Sequence, residues 1–260
     1  MRNFKMTLAY DGTAYSGWQV QSEQQTVQGV LESAVEAVTG TPVRVLASGR
    51  TDAGVHALGQ VVAFSIDTEL SCEVLRRAIQ GNLPADVSVR EVVSAPDRFH
   101  PIRDAQSKRY RYVLSDAEVH DVFLRAYCWQ YPRPLEAEIM QRAANALIGK
   151  HDFASFQSSG APRESTVRTI YELQVIRPEK ASRGPLWIEV EADGFLYNMV
   201  RAIVGTLTEI GRGAEEEAWC AQVLADRDRS RAGPTAPPQG LFLLSVDYGT
   251  MFCSTGGASR

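Results

Sequence analysis

The eight residues GRTDAGVH, positions 49–56, bring together three side chains that can do chemistry. Asp52 is the only carboxylate of the segment, Arg50 lies two residues before it, and His56 lies four residues after it. Two glycines bracket the aspartate, which indicates a tight loop. The segment could be a metal site, a turn, or a loop that presents a nucleophile or a base.

These interpretations of Asp52 differ in what else they require. A turn needs only an aspartate that accepts backbone hydrogen bonds, and it is the commoner outcome for an arbitrary Asp-x-Gly sequence. A metal site needs further ligands, and no His-x-x-x-His pair or acidic cluster lies nearby. The Arg50 cation would repel a divalent ion, but it would also keep a partly desolvated carboxylate ionised. An ionised, shielded carboxylate can act as a nucleophile or a base.

The sequence KRYRY, residues 108–112, predicts a strand with two different faces. Strand alternation places Lys108, Tyr110 and Tyr112 on one face, and Arg109 and Arg111 on the other. Aromatic side chains on a sheet face can stack on a splayed base, and the arginines could then reach phosphates or a sheet edge. The more common alternative is a pair of core-facing tyrosines with two solvated arginines.

A third candidate is Arg201, which lies in FLYNMVRAIVG among apolar neighbours on a predicted helix. An arginine in that setting either extends to the surface or pairs with a buried acid. Pairing needs a carboxylate from elsewhere in the chain, and Asp52 is the attractive candidate, although spacing alone does not show it.

Alternating strands and helices must position these residues. Hydrophobic periodicity predicts strands over 4–12, 43–48, 59–66, 87–95, 108–115, 166–176, 186–193 and 240–249. It predicts helices over 25–40, 71–84, 136–149 and 196–211, with Gly40 as a stop and Ser71 as an N-cap.

The order of these elements predicts an α/β (α+β) protein of two β-α-β-β-α-β-like halves, with mixed sheets that carry helices on one face. We expect an N-terminal half over 1–105, a C-terminal half over 106–248 and a flexible tail over 249–260. The halves are not repeats in sequence, so their likeness is one of element order.

Composition limits the function classes. The 260 residues are 44% hydrophobic and 22% charged, as in an ordinary globular protein, and the formal net charge of −4 argues against indiscriminate polyanion binding. A local basic face is still compatible with that charge. We expect no signal peptide or membrane span, and four scattered cysteines indicate reduced thiols in the cytoplasm with neither disulfides nor structural zinc.

Two loops have weaker signals. AYDGTAYSGWQVQ, residues 9–21, contains Gly12 and Gly17 but lacks the Gly-Lys-Ser/Thr ending of a phosphate-binding loop. The polar segment 158–169 contains Arg163 and Arg168. It is either a solvated loop or, less commonly, an RNA-contacting one.

Over nearly its full length, the chain resembles the tRNA pseudouridine synthase A (TruA) family. The resemblance rests on YDGTAYSGWQVQ, TVQGVLE, ASGRTDAGVHALGQVVAF, LPAD, FHPIRDAQSKRYRYVL, GKHDFASF, RTI at 168–170, FLYNMVRAIVGTL and GLFLLSV. The GRTDAGVHA core is highly specific, and its order relative to the tyrosine and arginine motifs makes chance similarity improbable.

The resemblance implies roles for individual residues. Asp52 matches the family's catalytic aspartate, and Tyr110 matches the tyrosine that stacks on the target base. Arg201 matches the basic residue that pairs with the catalytic acid, which moves that pairing away from Arg50. Arg50 matches an arginine near the flipped nucleotide, and His56 becomes a scaffold residue. Either Leu241 or Leu243, of which we favour Leu243, would line the substrate pocket.

The resemblance also implies an activity and an architecture. Family members isomerise uridine to pseudouridine in the anticodon stem-loop of tRNA, at nucleotides 38–40. They have the pseudouridine synthase fold, in which two halves with joined, mainly antiparallel sheets form a central RNA-binding cleft, and they are homodimers. The reaction gains no atoms, so we expect no cofactor and no metal. Asp52 could attack C1′, add to C6 or remove the C2′ proton, and the sequence does not choose among these steps.

Two other functions compete with this one. A non-catalytic RNA-binding or RNA-folding protein on the same scaffold would lack the carboxylate at position 52, which is present. A metal-dependent phosphohydrolase would need further ligands near His56. The resemblance therefore favours the isomerase.

Overall fold

The architecture is known from a computed structural model that describes residues 1–158, 160, 165–178 and 183–252. Ten strands are present in these residues: β1 Arg2–Tyr10, β2 Leu46–Ala47, β3 His56–Ile66, β4 Val87–Ser94, β5 Ser107–Ser115, β6 Trp129–Gln130, β7 Gly149–Asp152, β8 Val167–Ile176, β9 Pro185–Ala192 and β10 Leu241–Asp247. The α-helices are α1 Val27–Thr39, α2 Cys72–Gln80, α3 Ala137–Ala144, α4 Met199–Gly211 and α5 Trp219–Asp226.

The strands form one sheet, and the last strand joins its two halves. The order is β4-β1-β3-β10-β5-β9-β8-β7, with β2 beside β3 and β6 beside β5. Strand β10 pairs parallel with β3 on one side and antiparallel with β5 on the other. The only other parallel pair within the described residues is β5 with β6. The predicted α/β class and the joined, mainly antiparallel sheet are therefore confirmed.

The element order matches the prediction more closely in the first half than in the second. Residues 2–94 have the order β-α-β-β-α-β, whereas the second half adds β6, β7 and α5. The strand expected over 43–48 is reduced to Leu46–Ala47. Residues 249–252 belong to the predicted tail but form a 3-10 turn, and the Phe252 ring packs on Phe99.

Local sequence explains the ends of the first two helices. The Thr26 hydroxyl accepts a hydrogen bond from Gly29 N at the start of α1, and Gly40 ends that helix in the left-handed conformation. The predicted cap Ser71 accepts from Val74 N at the start of α2. None of the helices in the described ranges is long and apolar enough to cross a membrane.

A buried ion pair ties the second half together. The Asp116 side chain, which follows β5, is 0% exposed, and its two oxygens lie 2.9 and 3.0 Å from Arg177 after β8. The same carboxylate accepts hydrogen bonds from Gly184 N and Leu135 N, at 2.6 and 2.8 Å. Burial alone would raise the pKa of Asp116, but these hydrogen bonds and the Arg177 charge lower it below its ordinary value.

Candidate active site

Asp52 lies in the loop between β2 and β3, and backbone contacts hold this loop in place. Val55 N donates to Asp52 O at 3.1 Å, so the segment is a turn. Trp18 N donates to Thr51 O at 3.0 Å, and the hydroxyls of Thr51 and Tyr10 lie 2.8 Å apart. The turn interpretation was therefore correct, and the turn is anchored immediately beside the aspartate.

The start of the same loop is anchored by two polar side chains. Gln60 Nε2 donates to Gly49 O at 2.8 Å, and Lys108 Nζ donates to Ser48 O at 2.6 Å. Lys108 belongs to the KRYRY strand, so one residue of that motif supports the aspartate loop directly. A carboxylate on a loop fixed at both ends has a defined direction, as a catalytic group requires.

The weak glycine loop of the sequence also supports this turn. Gly17 has a φ of 89°, and a Cβ there would lie 2.8 Å from Thr51 O and 3.2 Å from the backbone carbon of Asp52. Any larger residue at position 17 would be strained and would push the aspartate loop away. Residues 9–21 therefore buttress the loop, a role that sequence reasoning missed.

Arg201 meets Asp52 as the apolar helix pattern suggested. Its Nη1 lies 3.3 Å from Asp52 Oδ2, although the two residues are far apart in sequence. The arginine side chain is 15% exposed and the aspartate side chain 30%. Arg201 Nη1 also donates to Asn198 Oδ1 at 2.8 Å, and Nε donates to Ala236 O at 2.7 Å. Three acceptors therefore fix the guanidinium.

A close approach between helix α4 and the loop before β10 makes the contact to Ala236 possible. A Cβ at Gly205 of α4 would lie only 1.6 Å from Pro234 O, so the backbones can meet only at glycine. Ala236 N in turn donates to Arg201 O at 3.1 Å. The loop before β10 therefore holds both the backbone and the side chain of Arg201.

The Asp52 carboxylate is only partly compensated. Burial raises the pKa of Asp52 above its ordinary value, and the charge and hydrogen bond of Arg201 offset this only in part. Among the described residues, Arg201 is the one side chain that hydrogen-bonds this carboxylate. The carboxylate lies on the wall of a cavity, where its oxygens can accept further hydrogen bonds from a ligand.

A cavity of about 1300 Å³ brings the sequence-predicted residues together. Asp52, Arg201, Tyr110 and Arg50 all lie on its wall. Tyr110 is 8% exposed and packs edge-to-face on Phe195, with ring centroids 4.9 Å apart. Burial raises the pKa of Tyr110, so its phenol stays protonated at neutral pH.

The two candidate leucines lie differently relative to the cavity. Leu241 lies on the cavity wall, whereas Leu243 does not. Leu243 is 1% exposed and lies in register between Tyr110 of β5 and Ala57 of β3. Leu243 belongs to β10 in the middle of the sheet, and its side chain is buried.

The cavity wall is basic although the chain is acidic. Its described lining contains two carboxylates, Asp52 and Asp193, and five cations, Arg44, Arg50, Lys108, Arg168 and Arg201. Arg50 is exposed. The segment 158–169 reaches this wall through Gly160, Val167 and Arg168, and Arg163 lies outside the described residues. The local excess of positive charge suits a polyanionic ligand.

The arginines of KRYRY do not reach this cavity. Arg109 pairs with Glu172, Glu189 and Glu191, and Arg111 pairs with Glu189. Glutamates on β8 and β9 therefore pair with both arginines, whose side chains are still about a third exposed. The tyrosines do face the core, as the more common alternative expected, and Tyr112 donates to Pro237 O at 2.7 Å.

His56 is a buried scaffold residue. It is 2% exposed, Gly12 N donates to its Nδ1 at 3.0 Å, and its Nε2 lies 3.1 Å from Ala126 O. Burial lowers the pKa of His56 despite the opposing effect of Asp11, so the ring is neutral at neutral pH. No group of three or more potential metal ligands occurs in the part of the chain that the structure describes.

Comparisons with known proteins give relatives of similar sequence. A family model described as tRNA pseudouridine synthase matches residues 6–102 and 143–249. A tRNA pseudouridine synthase A from Thermoanaerobacter sp. (strain X514) is 44% identical over 248 residues, which are 95% of this chain and 100% of that protein. Proteins of the same name from Brevibacillus brevis and Myxococcus xanthus are 44% and 43% identical, over 95% of this chain and 100% and 92% of their own.

One solved structure has a distant likeness. A chain of a Cbf5-Nop10-Gar1 complex aligns with 79% of this chain and 53% of its own length, at a TM-score of 0.31 and 10% identity.

Proposed function

This chain belongs to the tRNA pseudouridine synthase family, and we propose that it isomerises uridine to pseudouridine at positions 38–40 of the anticodon stem-loop, with Asp52 as the catalytic carboxylate. Membership of the family makes it an isomerase that acts on tRNA. The observation that carries the assignment of Asp52 is its incomplete pairing: in the part of the chain that the structure describes, Arg201 is the one side chain that hydrogen-bonds it, on the wall of a large basic cavity.

The reaction needs the groups that meet in this cavity. The N1–C1′ bond of uridine breaks, the uracil turns, and a C5–C1′ bond forms. C5 loses a proton and N1 gains one, so no atoms are gained or lost. The target base must first leave its stack, which costs a few kcal/mol that stacking and backbone contacts offset. In the proposed reaction Asp52 would attack C1′, add to C6 or remove the C2′ proton. Its partial desolvation makes the carboxylate more reactive in each case.

The other cavity residues have supporting roles. Arg201 aims Asp52 and favours its ionised form. Tyr110 packs against the uracil, and burial keeps its phenol protonated. Arg50, exposed on the wall, positions the flipped nucleotide through its phosphate. Leu241 replaces Leu243 as the apolar contact that we propose for the base.

The distribution of charge supports tRNA as the ligand. The described cavity wall has more cations than carboxylates, in a chain whose formal net charge is −4, so this wall can attract phosphate. A cavity of about 1300 Å³ also exceeds the space that one nucleotide needs, so it can admit nucleotides on either side of the target.

The partner that we propose besides tRNA is a second copy of the chain. Residues 117–127 expose five large apolar side chains to solvent, and the three most exposed, Val119, Val122 and Phe123, are 83%, 63% and 83% exposed. Such a cluster on a monomer surface is typical of a contact with another protein. We expect a dimer in analytical ultracentrifugation and a monomer for Phe123→Asp, whereas a monomeric wild-type protein would contradict the proposal.

The decisive experiment maps pseudouridine in tRNA after incubation with the wild-type protein, Asp52→Asn and Asp193→Asn. Asp193 is the other carboxylate in the described cavity lining, and its side chain accepts a hydrogen bond from Thr169 N. We expect pseudouridine at positions 38–40 with the wild-type protein and with Asp193→Asn, and none with Asp52→Asn.

Tritium release from C5-labelled uridine and tRNA retention on filters complete the test. Asp52→Asn should bind tRNA nearly as tightly as the wild-type protein does while it releases no tritium. Appreciable release by Asp52→Asn would refute the role of the carboxylate. Binding without turnover by the wild-type protein would favour the RNA-binding alternative.

A further inference from the structure

Asn198 lies beside the Asp52–Arg201 pair and contacts it through one atom. Its Oδ1 accepts from Arg201 Nη1 at 2.8 Å, the same nitrogen that lies 3.3 Å from Asp52 Oδ2. The amide of Asn198 is fixed in turn, because its Nδ2 donates to Ser158 Oγ at 3.1 Å. A chain of hydrogen bonds therefore runs from Ser158 through Asn198 and Arg201 to Asp52.

The backbone at Asn198 is unusual for a residue with a side chain. Its φ of 60° and ψ of 9° lie in the left-handed region, where glycine is the least strained residue. Asparagine tolerates this region better than most residues, yet it is also the residue whose amide can bond Arg201. The position therefore combines a strained backbone with a polar contact at the active site, as is typical of functional residues.

The usual structural reason for asparagine at a helix start does not apply here. Asn198 is the N-cap residue of α4, but its side chain makes no capping hydrogen bond. Its backbone oxygen accepts from Ala202 N at 2.9 Å, and any residue could provide that contact. The amide is thus directed at Arg201 and Ser158 and not at the helix backbone.

We propose that Asn198 is a positioning residue for the isomerisation, which holds the Arg201 guanidinium in the orientation that aims and charges Asp52. This inference rests on the proposed role of Asp52. Arg201 Nη1 must divide its hydrogen bonds between two acceptors, and the shorter contact is to Asn198. The amide therefore sets how far the guanidinium can turn away from the carboxylate.

The expected consequences follow from what Arg201 does to Asp52. Without the amide, Arg201 keeps Ala236 O as its anchor through Nε, but its Nη1 end can rotate. The titratable groups that interact with Asp52 are Arg201, whose positive charge lowers the pKa of Asp52, and Tyr110, which is protonated and neutral at neutral pH. A rotated Arg201 opposes the effect of burial less, so the pKa of Asp52 rises and the acid limb of the rate moves to higher pH.

The test compares Asn198→Gly with the wild-type full-length protein in single-turnover tritium release from C5-labelled tRNA, over a range of pH. Glycine suits the positive φ, so this variant should fold. We expect a rate lowered by about tenfold at neutral pH, which is the loss of about one charge-assisted hydrogen bond. The acid limb should move to higher pH, and tRNA binding should change less than twofold.

Two further variants separate positioning from structure. Glu23→Gly is the matched backbone control, because Glu23 also has a φ of 60° and is exposed. It should leave the rate and the acid limb unchanged. Asn198→Asp keeps an acceptor oxygen for Arg201, so it should recover at least threefold of the rate that Asn198→Gly loses.

The outcomes distinguish this inference from the proposed function. An acid limb unchanged in Asn198→Gly, or equal rates for the glycine and aspartate variants, would overturn the positioning role while leaving Asp52 in place. Tritium release by Asp52→Asn would instead remove the proposed function itself. A fall in rate matched by a fall in melting temperature, with an unmoved acid limb, would reduce Asn198 to a structural residue.

Discussion

Asp116 and Asp52 each pair with an arginine, but they differ in burial, in hydrogen bonding and in the direction in which their pKa changes. Asp116 accepts two hydrogen bonds from Arg177 and two from backbone amides, and its pKa falls although it is 0% exposed. Asp52 accepts one hydrogen bond from Arg201, and its pKa rises although it is 30% exposed. The less buried carboxylate is thus the less satisfied one.

This difference indicates that the Asp116–Arg177 and Asp52–Arg201 pairs have different roles. A carboxylate whose lone pairs are all occupied contributes to folding and has nothing left to offer a ligand. A carboxylate with one donor and an open side keeps part of its desolvation cost until a ligand binds. Unsatisfied groups of this kind are tolerated where function needs them. Asp116 therefore has the character of a structural acid, and Asp52 that of a reactive one.

The largest effect we expect is on stability, from Asp116→Asn. The new amide would point N–H groups at Arg177 or at the backbone amides of Gly184 and Leu135, which are themselves donors. Arg177, whose side chain is 12% exposed, would lose its counter-charge. Breaking such a buried pair costs about 3–5 kcal/mol of the free energy of unfolding. Urea denaturation at neutral pH measures it.

Asp228→Asn is the control for that experiment, because Asp228 is an exposed aspartate that only bonds Ser230 locally. Its replacement should cost less than about 0.5 kcal/mol. A loss below about 1 kcal/mol in Asp116→Asn would mean that the two pairs do not differ as we argue.

The next effect is on the rate, from Arg201→Gln. Removing the cation leaves burial unopposed at Asp52, so the pKa of that carboxyl rises further. The single-turnover rate at neutral pH should fall about 10- to 100-fold, equivalent to about 1.4–2.7 kcal/mol, and its acid limb should move to higher pH.

Arg50→Gln provides the comparison for Arg201→Gln, since both arginines lie on the cavity wall but only Arg201 bonds Asp52. Arg50→Gln should weaken tRNA binding and leave the acid limb where it is. Equal shifts of the acid limb in both variants would show that Asp52 responds to the general field of the cavity and not to its ion pair.

Sequence reasoning located the carboxylate that we propose to be reactive but not the buried, fully paired one. Asp52 lies in a specific motif, and Arg201 is conspicuous as an arginine among apolar residues on a helix, so each could be found alone. Asp116 and Arg177 follow the ends of β5 and β8 and lie in no motif. Their pairing depends on how the sheet brings two strand ends together, which no local pattern encodes.

The longer elements were predicted well because their periodic patterns are local. Helix α1 and strands β3 and β5 have enough residues for a period to be read. Strand β7 has four residues and helix α5 has eight, and both were missed. Segment 43–48 alternates as a strand should, but Val45 bonds the side chains of Gln28 and Glu32 on α1. Tertiary contacts replaced a sheet ladder there.

A smaller effect should come from pH alone, with opposite signs at the two acids. The pKa of Asp116 is lowered in the folded state, so its contribution to stability is full above the unfolded value of about 3.9 and is lost as pH falls through the folded value. The pKa of Asp52 is raised, so its ionisation destabilises the fold as pH rises through that value.

Each unit of pKa shift corresponds to about 1.4 kcal/mol. Comparing the unfolding free energy of the wild-type protein with that of each aspartate variant, from pH 7 down to about 3, separates the two contributions. The advantage of the wild-type protein over Asp116→Asn should shrink at the acid end. Any disadvantage of the wild-type protein relative to Asp52→Asn should shrink there too, and parallel curves for both pairs would contradict these signs.

The smallest effect is the stability of Asp52→Asn at neutral pH, where we expect no loss and a gain of up to about 1 kcal/mol. Arg201 does not become unpaired in this variant, because Ala236 O and Asn198 Oδ1 still accept from it. The amide oxygen of the new residue can also accept from Nη1, while the cost of a half-buried charge disappears. If Asp52→Asn loses activity and keeps or gains stability, while Asp116→Asn loses stability and keeps activity, then Asp52 is a reactive acid and Asp116 a structural one. A loss above about 2 kcal/mol in Asp52→Asn, measured by urea denaturation beside Asp193→Asn, would show instead that the Asp52–Arg201 pair also holds the fold together.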